Sequence, residues 1–413
     1  MSHRPVFAMP LRRVVAAVAA VNIHVAEQAA ARIKVEYEVL PSVTWVLDAM
    51  QDDAPLLHEN LCTDHMGEKD EKPSNTAVHM HFEKGNVEEG FAAADVIVER
   101  EFKTATVHQG YIEPHVSVAD WTTSGRLKIW TATQGAFTAR QQTAEVLQIS
   151  ISDVVVTPCE IGGGFGGKIA VYVEPVTALL SKKSGRPVRI SMTRAGVFEG
   201  TGPTPGSFMR VKIGATSDGK LVAGEAWLAY DAGAYPGGMI GPGCMCVFSC
   251  YDIEHAVVDG YDVCMNKPHT QAYRAPGATQ VAFACEQVVD EIAEQLGICK
   301  LEIRQLNAAK EGMRRVDGPV YPRIGLVECL DRIGAEGTAH ALAHPLASLN
   351  ELPMRHRRRQ EARVARQIFN ALRRAPLGQI RWSRHQPAGI VSQFAGNEMV
   401  VAQFGDAHCN VDP

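Results

Sequence analysis

Five glycines crowd around one aromatic ring in the run Gly162-Gly163-Gly164-Phe165-Gly166-Gly167-Lys168, a composition that no helix or strand interior tolerates. The chain must turn there, with backbone that reaches left-handed conformations and that a ligand can approach closely. Val154 to Thr157 before the run reads as a strand, and a helix-like pattern follows it. Successive backbone N–H groups between a strand and a helix suit an anionic group. Three uses stay open. Gly162, Gly164 and Gly167 satisfy G-x-G-x-x-G, yet Arg189 to Met192 lacks the acid that a dinucleotide site places about 20 residues on. Gly162, Gly167 and Lys168 satisfy G-x-x-x-x-G-K, yet Ile169 stands where a magnesium-nucleotide loop needs Ser or Thr. The third use is a tight structural turn.

Two further segments offer hydrogen-bond donors. In Gln271-Ala272-Tyr273-Arg274-Ala275-Pro276-Gly277-Ala278-Thr279-Gln280 an arginine precedes a Pro-Gly turn, and its guanidinium is a fixed fork for oxyanions. In Thr131-Ala132-Thr133-Gln134-Gly135, at a strand end, the glutamine amide can donate to a ligand oxygen. His108, Glu113 and His115 lack the spacing of a helical metal pair and read as structural hydrogen-bonding groups.

The periodicities around these motifs mix strands and helices. Val14 to Val21, Val35 to Val39, Val96 to Phe102 and Leu127 to Trp130 read as strands, and Pro41 to about Lys72 as loop. Ser207 to Ile213 and Leu221 to Asp231 form an expected hairpin around Ser217-Asp218-Gly219. Ile23 to Ile33, Ala136 to Leu147 and Leu301 to Asn307 read as helices. So does Gln280 to Leu296, with Val281, Ala284, Cys285, Val288, Ile292 and Leu296 on one face. With 413 residues the chain has room for two or three domains.

Charge and composition narrow the partners. The 41 basic and 46 acidic residues argue against nucleic acid. The early apolar run Val14 to Val21 falls far short of the roughly 20 residues that cross a bilayer, which predicts no membrane span and a cytoplasmic protein. The cysteines form no C-x-x-C pair, and Cys244, Cys246 and Cys250 lack iron–sulfur or zinc spacing, so reduced thiols are expected. If electrons leave this protein, other chains hold the iron–sulfur centres. Arg355 to Arg374 alone reads as a basic helix.

Taken together, GGGFGGK at 162–168, AYRAPGATQ at 272–280, the TQ strand end at 133–134 and HQGYIEPH at 108–115 resemble the molybdenum-binding subunit of the xanthine dehydrogenase and aldehyde oxidase family. The segment EQVVDEIAEQLGICKLEIRQLN at 286–307 resembles the family's next helix, and the resemblance covers most of residues 14 to 333. It implies an α+β fold: a truncated α/β hammerhead domain at 1–45, the first molybdopterin-binding domain at 65–333, and an Arg-rich stretch at 334–413 that begins the second molybdopterin-binding region and is partly out of frame.

The resemblance also implies an oxidoreductase that hydroxylates an N-heterocyclic, aromatic or aldehyde substrate with oxygen from water. Its cofactor is molybdopterin with molybdenum, and iron–sulfur clusters and FAD sit on partner subunits. Gln134, Gly164, Phe165, Gly166 and Arg274 are the implied cofactor-binding residues, with Gln134, Phe165 and Arg274 around the molybdenum. Purine-oxidising relatives carry a Glu where this chain has Ile169 and a Phe where it has Pro276, so these two implied pocket residues point to an uncharged ring rather than xanthine. The family's general-base Glu has no equivalent here, so no catalytic residue is assigned and the isolated chain is expected to be inactive. Two arrangements then stand: the first part of a subunit split over two chains, or an inactive remnant. A nucleotide-binding enzyme using only the 162–168 loop is the further alternative.

Overall fold

The computed structural model describes residues 16–335 and the backbone of 400–404. Strands are numbered along the chain. The larger sheet runs β3 (Glu68–Pro73), β2 (Cys62–His65), β4 (Thr76–Lys84), β12 (His255–Cys264), β11 (Leu221–Gly233), β10 (Ser207–Ala215), β5 (Val96–Thr104). The expected hairpin is β10–β11, in antiparallel register from Ser207 opposite Tyr230. β11 and β12, by contrast, run parallel.

Period-two alternation divides this sheet's apolar residues between two faces. Met209, Val211, Ile213, Leu228 and Tyr230 face the helix Ala278–Leu296, whose Val281, Ala284, Cys285, Val288 and Ile292 are fully buried, as the helical spacing predicts. Phe208, Ala229 and Ala232 turn to the other side, against Val43, Val46 and Leu57.

The smaller sheet runs β1 (Ala17–Ala20), β13 (Val400–Phe404), β9 (Val188–Ser191), β6 (Val116–Trp121), β7 (Leu127–Thr131), β8 (Val154–Pro158). β7 crosses through the helix Ala136–Leu147 to the parallel β8, with Thr131 opposite Pro158. Each sheet therefore contains a parallel pair whose following loops leave from the C-terminal edge, where α/β folds commonly place ligands.

Three expectations fail. Val35 to Val39 is not a strand, although Val35, Tyr37 and Val39 alternate. It pairs with no strand among the described residues, Val39 stays 86% exposed, and β-propensity without a ladder leaves backbone groups to water. The 41–72 stretch is not all loop, because β2 and β3 fold back through Met66 and Gly67, both at positive φ. The charged strand Glu68–Pro73 is exposed along most of its length and so carries no apolar alternation to reveal it. The glycine run does not open a helix. The next helix, Glu174–Ser184, starts only after Ile169 to Val173. The Arg355 to Arg374 helix lies outside the described residues. Among them no helix is long and apolar enough to cross a membrane. The nine cysteines among them are all free thiols.

Candidate functional site

The loop after β7, the loop after β8 and the segment after β12 converge. The Gln134 backbone N–H donates to the Lys168 carbonyl at 2.8 Å, and the Thr133 hydroxyl donates to the same carbonyl at 3.2 Å. In return the Gln134 side-chain oxygen accepts the backbone N–H of Gly166 at 2.9 Å and of Lys168 at 3.2 Å. These bonds fix Oε1 inward, so the amide NH2 points away from the loop, and no acceptor among the described residues takes it.

The glycines here answer to close approach. A Cβ on Gly164 would sit 2.4 Å from Gln134 Oε1. Gly166 has φ of +105°, and a Cβ there would lie 2.5 Å from the Ala272 carbonyl oxygen. The two loops thus touch backbone to backbone, and the Arg274 N–H donates to the Phe165 carbonyl at 2.9 Å. Phe165, Arg274 and Ala275 are themselves left-handed, at φ of 54°, 34° and 62°. Each non-glycine residue in that region costs on the order of 1 kcal/mol or more, and such strain concentrates where a ligand is clamped.

A buried layer supports the loops. Gln109 donates through Nε2 to the carbonyls of Gly202 and Ala272, both at 2.9 Å, tying the arginine segment to the chain between the sheets. Lys168, whose side chain is 0% exposed, pairs with Glu113 Oε2 at 2.7 Å and lies over the Tyr111 ring. Glu113 Oε2 also accepts the Gly162 N–H at 2.8 Å. Tyr111 bonds to His115 Nε2 at 2.7 Å. Burial, reinforced by the Lys168 and His108 charges, pushes His115 down to about 3, so it stands neutral against the phenol. His108 Nε2 lies 2.8 Å from the Thr201 hydroxyl, so all three residues make hydrogen bonds in this layer.

The structure brings Gln134, Gly164, Phe165, Gly166 and Arg274 into one cluster. Arg274 is exposed and has no carboxylate partner among the described residues, whereas the Lys168 charge is spent on Glu113. Ile169 is 39% exposed directly after the loop, and Pro276 is half-buried at the foot of the helix Ala278–Leu296. The outward donors are thus one neutral amide and one guanidinium beside a half-exposed Phe165 ring, a set suited to an anionic, oxygen-rich ligand. Sequence reading missed the part of Gln109, which sits in a strand-free segment with no period to mark it, and the burial of Lys168.

The molybdopterin cofactor-binding domain family matches residues 68–308. The chain is 29% identical to the nicotinate dehydrogenase large molybdopterin subunit of Eubacterium barkeri, over 77% of this chain and 73% of that one. It is 30% identical to the xanthine dehydrogenase molybdenum-binding subunit of Escherichia coli O157:H7, over 74% of this chain but only 40% of that one. Among solved structures, the aldehyde oxidoreductase of Desulfovibrio gigas superposes with a TM-score of 0.68 at 27% identity, covering 74% of this chain and 33% of its own. Quinoline 2-oxidoreductase from Pseudomonas putida superposes with a TM-score of 0.69 at 25% identity, covering 83% and 42%. With its glycine loop, glutamine and arginine segment assembled in one place, this chain belongs to the molybdopterin cofactor-binding domain family and shares the α+β fold of molybdenum-hydroxylase subunits.

Proposed function

We propose that the chain is the cofactor-binding subunit, or one part of it, of a molybdenum hydroxylase acting on an N-heterocyclic, aromatic or aldehyde substrate. One observation carries this reading: the Gln134 carbonyl is locked onto the glycine loop by two N–H groups, which leaves its amide donor aimed outward beside strained backbone. A molybdopterin cofactor fits these residues. Its anionic groups match the Arg274 guanidinium, an oxygen ligand of molybdenum matches the Gln134 amide, and Gly164 and Gly166 let the loop pack closely enough on Gln134 and Ala272 to hold that amide in place. When bound, the molybdenum centre supplies oxidation by two electrons with oxygen drawn from water.

This chain's residues hold and orient. Gln134 donates a hydrogen bond, Arg274 holds an anion, and the Phe165 backbone sets how closely the centre approaches. Ile169 and Pro276 give the substrate pocket an apolar wall, which favours an uncharged ring over xanthine. Glu113 is engaged by Lys168 and Gly162, so it is not a free base, and the reading places the base outside the described residues. The loop's separation from the helix Glu174–Ser184 argues against the nucleotide-binding alternative, which needs a helix N-terminus at the glycines.

The same reading divides the chain into a hammerhead-type portion at 1–45, the first molybdopterin-binding domain at 65–333 and the start of the second region at 334–413. It gives the chain an iron–sulfur subunit, an FAD subunit and a second molybdopterin-binding chain as cytoplasmic partners. Exposed apolar residues support a covering chain. Ile112 is 88% exposed, Phe137 85% and Phe165 50%, all on segments around the glycine loop. The extent of the match to a relative named a large molybdopterin subunit supports the split arrangement.

Gln134→Glu tests the reading. It keeps the acceptor oxygen for Gly166 and Lys168 but replaces the outward donor. In the assembled complex, oxidation of a heterocycle in isotopically labelled water should incorporate the label, and the variant should be slower by about 10²-fold. Unlabelled product, or a variant as fast as the parent, refutes it.

A further inference from the structure

A second polar cluster lies on the face of the larger sheet that the helix Ala278–Leu296 does not cover. On β4, Met80 and Phe82 pack into the helix-side core, so alternation turns His79 and His81 to the opposite face. On β12, Asp259 is directly opposite His81, and Tyr261 is opposite His79. Asp259 Oδ1 lies 2.8 Å from His79 Nε2 and 2.9 Å from His81 Nδ1. His79 Nδ1 meets His65 Nδ1 at 3.0 Å, and His65 Nε2 meets Asp70 Oδ2 at 3.1 Å. Tyr261 stacks on the His79 ring with centroids 4.4 Å apart, which holds its orientation.

Counting protons gives this chain of contacts a direction. Four contacts each need one ring proton: Asp259 with His79, Asp259 with His81, His79 with His65, and His65 with Asp70. Three neutral imidazoles supply three, one short of the four. A divalent metal at Asp259, His79 and His81 replaces two of the four. His79 then donates its Nδ1–H to His65, and His65 donates its Nε2–H to Asp70. That is the outer-shell pattern of metal-bound histidines, in which the second ring nitrogen is anchored toward a carboxylate.

The three candidate ligand atoms lie within 4.8 Å of one another. Ligand atoms of a tetrahedral zinc site are on the order of 3.3 Å apart, so the two Asp259 contacts, at 2.8 and 2.9 Å, need to open by about half an ångström while the two imidazole nitrogens stay within the 4.8 Å limit. His79 and Asp259 are 20% and 28% exposed and His81 is 49% exposed, which leaves an open side for a water as fourth ligand. Two imidazoles and one carboxylate suit zinc better than magnesium or calcium, which take oxygen ligands. From this geometry we propose a zinc-binding site formed by His79, His81 and Asp259, with His65 and Asp70 as its outer support. It joins β4 to β12 and is independent of the molybdenum reading.

The test uses the full chain, stripped with a chelator and carrying no molybdenum. Titration with zinc against a chromophoric chelator should show one site per chain, unaffected by millimolar magnesium. Cobalt substitution should give a tetrahedral spectrum without the thiolate charge-transfer band that cysteine ligation produces. His81→Ala, at a half-exposed position, should weaken zinc by more than about 100-fold, and His65→Ala by about 10- to 100-fold. Absence of stoichiometric uptake, a thiolate band, or affinity unchanged in His81→Ala overturns the proposal. If a variant does not fold, the cobalt spectrum of the unmodified chain decides alone.

Discussion

Glu113→Ala should cost far more than an acid near the surface normally does. The loss follows from Lys168, whose side chain is 0% exposed and whose ammonium has Glu113 as its carboxylate partner at 2.7 Å. Removing one member of a fully buried pair costs about 3–5 kcal/mol, because the other charge is left without compensation. Glu113 is 31% exposed, so water screens part of that and reduces the figure to about 2 kcal/mol. The variant also strips the Gly162 N–H of its acceptor, adding about 1 kcal/mol. The sum, about 3 kcal/mol, corresponds to a midpoint lower by roughly 6–12 °C at about 2–4 °C per kcal/mol. Thermal and urea unfolding of the same preparations measure it. The double variant Glu113→Gln with Lys168→Met should recover most of the loss, since it buries no charge. A loss below about 1 kcal/mol in Glu113→Ala, or no recovery in the double variant, would refute the claim that this pair holds the glycine loop.

Gly166→Ala should destabilise by about 2 kcal/mol or more, because φ of +105° strains any side chain and the new Cβ meets the Ala272 carbonyl at 2.5 Å; a melt within about 1 °C of the parent contradicts this. His115 is held near 3, below the imidazole's ordinary 6.5, so its contribution is fully present above about pH 6.5 and is lost as pH falls from there toward 3. By pH 5 the loss attributable to this group is about 2 kcal/mol, and the difference in urea stability between the parent and His115→Gln should shrink over that window. A difference independent of pH would exclude the buried neutral imidazole. Arg274→Ala should leave stability within about 0.5 kcal/mol, since no carboxylate among the described residues pairs with it, yet lower cofactor content, and a large loss of stability would assign it a structural part instead.

Local signals were the legible ones. The helix Ala278–Leu296 was expected from Val281, Ala284, Cys285, Val288 and Ile292, and all five are fully buried. The β10–β11 hairpin followed from Ser217-Asp218-Gly219, where Gly219 takes the positive φ the turn needs. What the sequence hid is non-local. Nothing within Val35 to Val39 reveals that no strand among the described residues pairs with it, and nothing within the charged β3 reveals that one does. The convergence of Gln134, Gly166 and Arg274 depends on two parallel strand pairs in different sheets ending side by side, which only their motif order hinted at. The His79-Met80-His81 triplet carried a readable period-two signal, but its partner Asp259 lies 178 residues away from His81 in sequence and meets it only through strand pairing.

The central claim is that these loops hold a molybdenum cofactor. Its most direct test is the molybdenum content of the chain, purified natively with its bound partners from a host that makes the cofactor. The account predicts molybdenum near one per chain together with a second molybdopterin-binding subunit, and a lower content in Arg274→Ala. A folded chain that co-purifies with neither molybdenum nor a partner would contradict it, and would leave a protein that keeps the family's fold without its chemistry.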